Sequence, residues 1–594
     1  MKPTNRIFFL IVCSLLSASV SAQVSLSGKV HGGGMVLPGA TVIIGPSKTV
    51  TDSTGLFRVQ VTPGRHLAHI TYTGYESYHR YVVADSINSL LDIELQPAAS
   101  HLNEVVITGT TRPVQRLQSP IAVEVYTPQF FRKNPAPSIF ESLQTVNGVR
   151  PQINCSVCNT GDIHINGLEG PYTMVTIDGM PVVSSLSSVY GLFGIPSQLV
   201  ERIEIIKGPA SGLYGSEAIG GLINIITKAP GKSAKLAGNV MTTSWLEHNV
   251  DLGYNYTIGK KIHSLLGVNY FNYTKPFDKN NDGFTDVTLQ HRVSLFNKWK
   301  AERADQKEAS VAARLFYEDR WGGEMNWSRR YRGSDQVYGE SIYTKRLELI
   351  GKYDLPVAEQ VSVNASVTVH DQDSYYGTVP YMAKQQVFFG QVKWDRELSA
   401  SHFLVSGIAG RYNFYDDNST ATVDTLTRAN HPERSFIPGI FVQDEWRLNA
   451  RHNLLLGIRL DHHPVHKYIV TPRAAYKWSV TDRQVLRINA GTGFRVVNLF
   501  TEDHAALTGA RVVEIREALK PEQSYNVNLN YTWRNGSTSR QFGVDASVWY
   551  TYFHNQIIAD YTTDPNKIIY NNLPGHAESR GVTLNMDFNL MQRL

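Results

Sequence analysis

A segment rich in Asn and Asp carries the sequence's most complete set of oxygen donors for a metal ion. Within 277–286 the donors are Asp278, Asn280, Asp282 and Asp286. Their spacing matches positions 1, 3, 5 and 9 of a calcium loop, with a glycine at position 6. Position 12 is Leu289, so the bidentate Glu of an EF-hand is missing. Two interpretations remain: a calcium-ordered loop completed from elsewhere, or a polar turn.

A second stretch, 318–345, combines aromatic rings with guanidinium groups. Its members are Trp321, Trp327, Tyr331, Tyr338, Tyr343, Arg329, Arg330 and Arg332. Aromatic faces stack on flat ligands, and guanidinium groups bind anions. The set therefore suits a flat, anionic or aromatic chelate. A solvated loop with interfacial aromatics explains the same residues equally well.

Histidines and cysteines offer two weaker sites. His462, His463 and His466 could hold a metal, although exposed loop histidines are commoner. Cys155 and Cys158 would most simply close a small disulfide ring in an oxidising compartment. A metal site at these cysteines would need two more ligands, for which nothing nearby is compelling.

The sequence shows neither a catalytic constellation nor a nucleotide site. It contains no P-loop, no dinucleotide fingerprint and no arrangement of nucleophile, base and acid. The net charge of +5 is small for this length and gives no support for nucleic-acid binding. We therefore predict that the protein is not an enzyme and requires no cofactor, with calcium as the one structural ion considered.

The N-terminus predicts export. Residues 1–22 have a basic start, an apolar core over Ile7–Leu16 and small residues before Gln23, as in a secretory signal. No internal apolar run approaches the ~18 residues of a membrane helix. Aromatics are 10% and charged residues 18%. These values fit either a soluble all-β protein or a membrane β-barrel.

Alternating strands dominate the chain from 235 to 594. Tyr525, Val527 and Leu529 alternate with polar residues, and the stretches around 542–550 and 582–588 behave in the same way. One apolar and one polar face over ~10-residue strands is typical of a barrel with lipid outside and water inside. Short and long connectors alternate, which predicts periplasmic turns and extracellular loops. We count roughly 16 strands.

Residues 23–97 read as a small β-sandwich. Short strands are separated by turn residues at 32–34, 38–39, 52–55 and 63–64. A linker follows at 98–114. It contains an isolated β-prone segment, 102–109, which is available to add a strand to a partner's sheet. An ordinary first strand of the next domain is the alternative.

The chain is organised around a glycine-rich stretch, 200–227. It reads as strand, tight turn, strand: VERIEIIKGPASGLYG is followed by AIGGLINIIT, and TIDGMP stands upstream at 176–181. Glycine at this density indicates close backbone packing or turns with positive φ. These motifs, in this order, resemble the plug domain of TonB-dependent outer-membrane receptors.

This resemblance implies a plug at 115–230 and assigns residues to it. The TonB box is expected at Glu104, Val105, Val106, Ile107 and Thr108. The plug motif residues are Asn166, Gly167, Asp178, Gly179, Lys207, Gly208, Pro209, Tyr214, Gly215, Gly220 and Gly221. Asn166 replaces an Arg that in the family faces carboxylates on the barrel wall, whereas Lys207 keeps a charge at the second such position.

The resemblance also sets the expected fold. The chain is expected to be mainly β, with a β-sandwich similar to carboxypeptidase regulatory-like domains, as in Bacteroidetes-type receptors. An α/β plug and an antiparallel transmembrane barrel follow. The family's barrel has about 22 strands. The sequence therefore looks like a C-terminally truncated chain.

The implied function is import of a metal chelate across the outer membrane. The substrate expected first is a ferric siderophore, with cobalamin as the alternative. The implied partners are TonB with the ExbB/ExbD motor, outer-membrane lipid and the chelate, and the receptor is expected to be a monomer. A passive porin and a surface receptor without transport are the alternatives from other classes.

Overall fold

The computed structural model describes residues 24–32, 35–72, 75, 78–84, 90–95, 105–155, 160–183, 186, 192–231, 233–305, 307–423, 427, 429–497, 511–537 and 540–589. The predicted signal, Glu104 and Cys158 lie outside these residues, as does the side chain of Cys155. The chain separates into two compact units. One is 1–104 with 534–543 and 587–594, and the other is 105–533 with 544–586.

The N-terminal region consists of two small sheets that share one core. The strand order is β2-β1-β5, with β8 beside β1, in the first sheet and β4-β3-β6-β7 in the second. Val30, Val42, Ile44 and Ile70 are fully buried between them. The strands are β1 (Val24–Gly32), β2 (Met35–Val36), β3 (Thr41–Ile44), β4 (Ser47–Val50), β5 (Leu56–Val61), β6 (Gly64–Thr71), β7 (Tyr78–Ala84) and β8 (Leu91–Glu94).

A mixed sheet forms the centre of the next region, the predicted plug. Its order is β11-β16-β17-β14-β15, and only β14 and β17 run parallel. Two further pairs, β9–β10 and β12–β13, form separate two-stranded sheets. The strands of the whole region are β9 (Val105–Val106), β10 (Val114–Gln115), β11 (Glu124–Tyr126), β12 (Val149–Cys155), β13 (Thr160–Ile165), β14 (Thr173–Ile177), β15 (Met180–Val183), β16 (Val200–Lys207) and β17 (Gly221–Thr227). Short helices occur at Pro128–Phe131, Ile139–Ser142 and Ser211–Tyr214.

Two features of this sheet, the burial of its central strands and a close backbone contact, follow from its amino-acid sequence. β14 and β17 are buried along their whole length, as near-continuous apolar runs predict for strands covered on both faces. Gly221 has no room for a side chain, because a Cβ there would lie 2.4 Å from the carbonyl oxygen of Ile206. The glycine density therefore reflects close packing of backbone against backbone at this position.

The remaining chain forms a 16-stranded antiparallel sheet among the described residues. In order, its strands are β18 (Leu236–Thr242), β19 (His248–Ile258), β20 (Ile262–Tyr273), β21 (Leu289–Ala301), β22 (Ala309–Gly323), β23 (Gly339–Asp354), β24 (Gln360–Tyr376), β25 (Val379–Ser399), β26 (His402–Asp417), β27 (Glu433–Arg447), β28 (His452–His463), β29 (Lys467–Thr481), β30 (Gln484–Arg495), β32 (Glu522–Ser537), β33 (Arg540–Asn555) and β36 (Ala577–Asn589).

The two faces of this sheet differ in polarity as the alternation predicts. On β32, Tyr525, Val527 and Leu529 are 58%, 49% and 40% exposed, whereas Ser524 and Asn526 are buried against the interior. The apolar side chains therefore form the outer surface. The prediction of an apolar exterior and a polar interior is confirmed.

The connections at the two ends of the sheet differ in length. The pairs β19–β20, β25–β26 and β29–β30 are joined by tight turns at one end. At the other end the segments 274–288 and 324–338 are long, whereas β24–β25 and β28–β29 are joined by two and three residues. A small sheet also lies there, formed by β31 (Val512–Ile515), β35 (Lys567–Asn572) and β34 (Ile557–Asp560). No helix among the described residues is long and apolar enough to cross a bilayer.

Candidate functional site: a plug held inside the sheet

The predicted TonB box is bound to the plug rather than free. Val105–Val106 pairs with β10, and Val106 and Thr108 are fully buried. One carboxylate oxygen, Oε2 of Glu204, accepts hydrogen bonds from the backbone amides of Ile107 and Thr108, each at 2.9 Å, and from the Thr108 hydroxyl at 2.5 Å. The segment predicted to be available for strand addition is therefore already paired.

Asn224 connects this segment to the next motif. Its Nδ2 donates to the Thr108 hydroxyl at 2.9 Å, and its Oδ1 accepts from the backbone amide of Gly179 at 2.9 Å. Glu204 and Asn224 are both buried. A buried polar group is costly unless it is hydrogen-bonded, and here both groups are. Neither residue was singled out from the sequence, although Asn224 interrupts the apolar run 222–226 of β17 and so gave a usable signal.

The Asp178–Gly179 pair forms the tight turn between β14 and β15. Both residues have positive φ, +51° and +80°, which suits an Asp-Gly hairpin turn. The Asp178 carboxylate accepts from the amide and hydroxyl of Thr227 at 2.8 and 2.7 Å. It also meets Lys298 Nζ of the wall at 2.8 Å. This turn therefore ties the plug sheet to the sheet that surrounds it.

The plug contacts wall strands from β19 to β36. Four of the ion pairs that join it to the wall are Arg112–Glu445, Arg116–Asp545, Lys298–Asp178 and Arg411–Glu217. At the two extremes, Ser197 bonds Asp251 on β19 and Asn147 bonds Asn585 on β36. The sheet thus surrounds residues 105–230, as the predicted plug-in-barrel arrangement requires.

Many wall side chains bind the plug backbone. Arg487 donates to the carbonyls of Arg116, Leu117 and Ser119 at 2.9–3.2 Å. Lys393 and Lys477 bind the carbonyls of Thr111 and Gln118 at 3.1 and 3.2 Å. None of these basic residues stands out in the sequence. Each is a cation at an inward position of an alternating strand, and nothing else about it indicates a contact with the plug.

Asn166 and Lys207 occupy the two positions at which the family is expected to carry plug arginines, and their contacts differ. Asn166 has φ +54°, and its buried Oδ1 has no hydrogen-bond partner among the described residues. Lys207 pairs with Glu124 of the plug at 2.7 Å instead of a wall carboxylate. Asn528 of the wall donates to the Lys207 carbonyl at 2.6 Å. The plug motif therefore contacts the wall here through backbone.

The remaining plug motif residues shape the turns around β16 and β17. Gly208 and Gly215 have positive φ, and Pro209 borders the wall at Gly491. The Tyr214 hydroxyl donates to the Thr108 carbonyl at 3.0 Å, so this residue also holds the predicted TonB box. Gly167 has positive φ beside Asn166, and Gly220 binds the carbonyl of Tyr172.

The aromatic and arginine set is divided between strands and a loop. Trp321 lies on β22 and Tyr343 on β23, so the irregular segment is 324–338. Arg329 pairs with Asp319, and Arg332 pairs with Asp373 at 2.7 Å while lying over the rings of Tyr343 and Tyr375. These two arginines hold the loop.

Arg330 is exposed and forms no ion pair among the described residues. It lies over the ring of Tyr331, 4.5 Å from the centroid, and binds that residue's hydroxyl. An exposed guanidinium beside an aromatic face is able to bind an anionic aromatic ligand. Trp327 packs inward against Gly339 instead.

The donors of the predicted calcium loop bind the loop's own backbone. Asp278 accepts from the amides of Asp282 and Gly283, and Asp286 accepts from the amide of Lys279 at 2.8 Å. Asn280 bonds Asp282. Within the described ranges, no group of three or more His, Cys, Asp or Glu residues is arranged to hold a metal. Calcium binding stays a prediction.

The three histidines are not brought together. His463 stacks on His466 at 4.7 Å between ring centroids and is buried. His462 packs on the exposed ring of Tyr468, among residues of the apolar outer face. Burial lowers the pKa of His466, which favours its neutral form. A metal site shared by all three would require His462 to turn through the sheet.

Comparisons with known proteins agree with this architecture. Residues 115–222 match the TonB-dependent receptor plug domain, and residues 233–593 match the TonB-dependent receptor-like β-barrel. The iron-regulated outer membrane virulence protein of Vibrio cholerae is 24% identical over 476 residues, which are 77% of this chain and 69% of that protein. The vitamin B12 transporter BtuB of Photobacterium profundum is 23% identical over 454 residues, or 72% and 67% of the two chains.

Solved structures share the fold. The siderophore receptor PirA of Acinetobacter baumannii superposes with a TM-score of 0.62 at 16% identity, over 79% of this chain and 78% of that one. The ferric enterobactin receptor PfeA of Pseudomonas aeruginosa, in complex with enterobactin, gives 0.60 at 18% identity, over 79% and 78%. A plug enclosed by an outward-apolar sheet, with matches to both domain families, means that this chain belongs to the TonB-dependent receptors of the outer membrane.

Proposed function

We propose that this receptor imports a ferric siderophore by TonB-driven displacement of its plug. The observation that carries the proposal is the segment 105–108, which is hydrogen-bonded to the edge of a plug that lies inside the surrounding sheet. Such a plug blocks passive flow, and its N-terminal segment is the part on which an outside partner could pull. Related proteins are named as iron-regulated, siderophore and ferric enterobactin receptors, which supports the substrate.

The steps follow from the site. The 324–338 loop captures an anionic chelate through Arg330 and its aromatic neighbours. TonB, energised by ExbB and ExbD, then pairs with 104–108 and pulls on it. The pull breaks the Glu204 and Asn224 bonds, and part of the plug moves away from the wall. A monomer is sufficient for this cycle, and the proposal assigns no catalytic step to the chain.

Deletion of residues 102–109 is the direct test. Cells starved of iron and carrying the full-length gene are given radiolabelled ferric enterobactin, and surface binding and accumulation are measured separately. We expect the deletion to abolish accumulation while surface binding persists. Accumulation that survives the deletion would indicate a passive porin. Binding without accumulation in the unaltered receptor would indicate a surface receptor.

Cobalamin is the second candidate substrate. It is supported by the similarity to BtuB and by the Asp-rich 277–286 loop. Growth rescue on cobalamin and on single siderophores would decide between the two. We also propose that calcium orders this loop. A chelator of divalent cations should then weaken ligand binding, and unchanged affinity in chelator would reject calcium.

Two finer proposals concern the architecture. We propose that the 16 strands belong to a barrel of about 22, as in the family. Among the described residues β18 and β36 each pair on one side only, which supports this. We also propose that the N-terminal sandwich is a carboxypeptidase regulatory-like module of Bacteroidetes type. Its two small sheets around one core support this assignment.

A further inference from the structure

A cavity of about 270 Å³ lies between the plug and the wall strands β21–β25 and β27, at the end of the sheet that carries the tight turns. Lys300 stands one residue before the end of β21, and Lys352 stands two residues before the end of β23. On the plug side the cavity reaches Ile107 and Thr111, which flank Thr108. It is therefore adjacent to the predicted TonB box and faces the periplasmic side.

The cavity lining is basic, and one of its lysines forms no ion pair among the described residues. Four lysines contribute: Lys298, Lys300, Lys352 and Lys393. Carboxylates pair with three of them. Lys298 meets Asp178 at 2.8 Å, Lys352 meets Glu308 at 2.6 Å and Lys393 meets Asp395 at 2.7 Å. Lys300 has no ion pair among the described residues. A cation enclosed between plug and wall attracts anions more strongly than one in open water.

Withdrawal of the Asp178–Gly179 turn would remove the ion-pair partner of a second cation. Lys298 is held directly by Asp178 and by the Thr227 hydroxyl, both on the plug, and Glu308 is the wall carboxylate that stays near it. The turn is bonded through Asn224 to Thr108, so a pull on 105–108 acts on it directly. The wall would keep Lys298 while the plug carried Asp178 away.

The remaining lining suits an aromatic anion. Phe389, Phe441 and Ile350 of the wall face Met180 and Ile226 of the plug. At 270 Å³ the closed cavity is smaller than the ~300–1,000 Å³ of pockets that enclose a small ligand. Occupancy therefore requires that the turn withdraws first.

We propose that this cavity is a second binding site for the anionic aromatic chelate, on the periplasmic side of the plug, with Lys300 and the released Lys298 as its cations. The inference rests on the proposed function, because it assigns a later stage of the same passage. It adds a specific set of residues to the path that the chelate takes after leaving the loops.

Charge reversal at Lys300 tests the site. Lys300→Glu is compared with Lys260→Glu, an exposed lysine in the tight turn between β19 and β20 at the same end of the sheet. With ferric enterobactin as the probe, we expect unchanged surface binding for both variants and energised uptake reduced roughly tenfold for Lys300→Glu alone. Lys300→Gln, which preserves size, should show a smaller loss. Native uptake rates in both Lys300 variants would overturn the inference.

A second experiment does not depend on the chelate. Gln391 lines the cavity, so Gln391→Cys in the full chain is reacted with a sulfonate thiol reagent and with a trimethylammonium reagent of similar size. The chain with Gln391 intact supplies the background from Cys155 and Cys158. We expect the anionic reagent to react several-fold faster, and Lys300→Glu to reverse the preference. Equal rates for the two reagents would reject an anion site. Absent surface binding of ferric enterobactin would instead reject the proposed substrate and leave the reagent result standing.

Discussion

Glu204 is the residue on which docking of the 105–108 segment depends. Its Oε2 accepts three hydrogen bonds from Ile107 and Thr108. A hydrogen bond to a charged group contributes about 1.5–3 kcal/mol. We expect Glu204→Gln to undock the segment more often, and hydrogen exchange at the amides of Ile107 and Thr108 to accelerate at least ~10-fold.

The matched control for this prediction is Glu201→Gln. Glu201 lies on the same strand, but its side chain is half exposed and, among the described residues, bonds only to Arg202. Its replacement should leave exchange at Ile107 and Thr108 unchanged. If both variants exchanged at the native rate, burial of Val106 and pairing with β10 would be the features that hold the segment.

Glu141 makes the stability of the plug depend on pH. Burial raises the pKa of this carboxyl to about 7, against the opposing charge of Arg292, and its Oε2 has no hydrogen-bond partner within the described part of the chain. Because the folded pKa lies above the ordinary 4.5, the protonated form favours folding. The contribution is complete below pH ~4.5 and is lost as pH rises through about 7.

The measurement is unfolding of the receptor in detergent micelles at pH 5 and pH 8. A shift of this size corresponds to on the order of 3 kcal/mol. Glu141→Gln should remove most of the difference between the two pH values, whereas Glu201→Gln should retain it. An equal pH dependence in native protein and Glu141→Gln would exclude this carboxyl as the source.

At the scale of single elements, the 324–338 loop divides its arginines between structure and binding. Arg332 and Arg329 hold the loop to Asp373 and Asp319, while Arg330 forms no ion pair among the described residues. We expect Arg330→Gln to weaken binding of ferric enterobactin about threefold, with an unchanged loop, because one exposed ion contact with the ligand is lost. Lys467→Gln, at the exposed first position of β29, is the control. Equal affinities for the two variants would remove Arg330 from the site.

The elements were largely predictable from sequence. Strict alternation over 524–532 places apolar side chains on one face, because successive residues of a strand point to opposite sides. The roughly 16 strands and the plug's apolar runs follow from the same rule. Periodicity identifies which face a residue occupies, but not which distant residue it meets.

Prediction from sequence therefore failed where long-range pairing decides the outcome. Ile107 and Thr108 looked free because their partners, Glu204 and Asn224, lie about one hundred residues further along the chain. The three histidines looked like one cluster, although His462 and His463 must point to opposite faces of β28. Arg329 and Arg332 resembled ligand contacts because their carboxylate partners lie on neighbouring strands.

At the scale of the whole molecule, the outer face must match lipid. Leu529 is 40% exposed near the middle of β32, and Ile258 is 48% exposed at the end of β19. A lysine at the bilayer midplane destabilises a barrel by ~2–4 kcal/mol, against ~0–1 near the interface. We expect Leu529→Lys to lower the unfolding free energy in lipid vesicles by ~2–4 kcal/mol and Ile258→Lys to lower it by ~0–1 kcal/mol. Similar losses at both positions would contradict a membrane centred on β32.

The hydrogen bonds from wall arginines and lysines to plug carbonyls have a consequence for evolution. Arg487, Lys393 and Lys477 bind main-chain oxygens, which every amino acid supplies. Substitutions on that surface of the plug leave these carbonyl acceptors intact. The interface between plug and wall therefore tolerates changes in side chains as long as the backbone keeps its path. Receptors of this kind can thus diversify their plugs, or exchange them between relatives, without redesigning the wall around them.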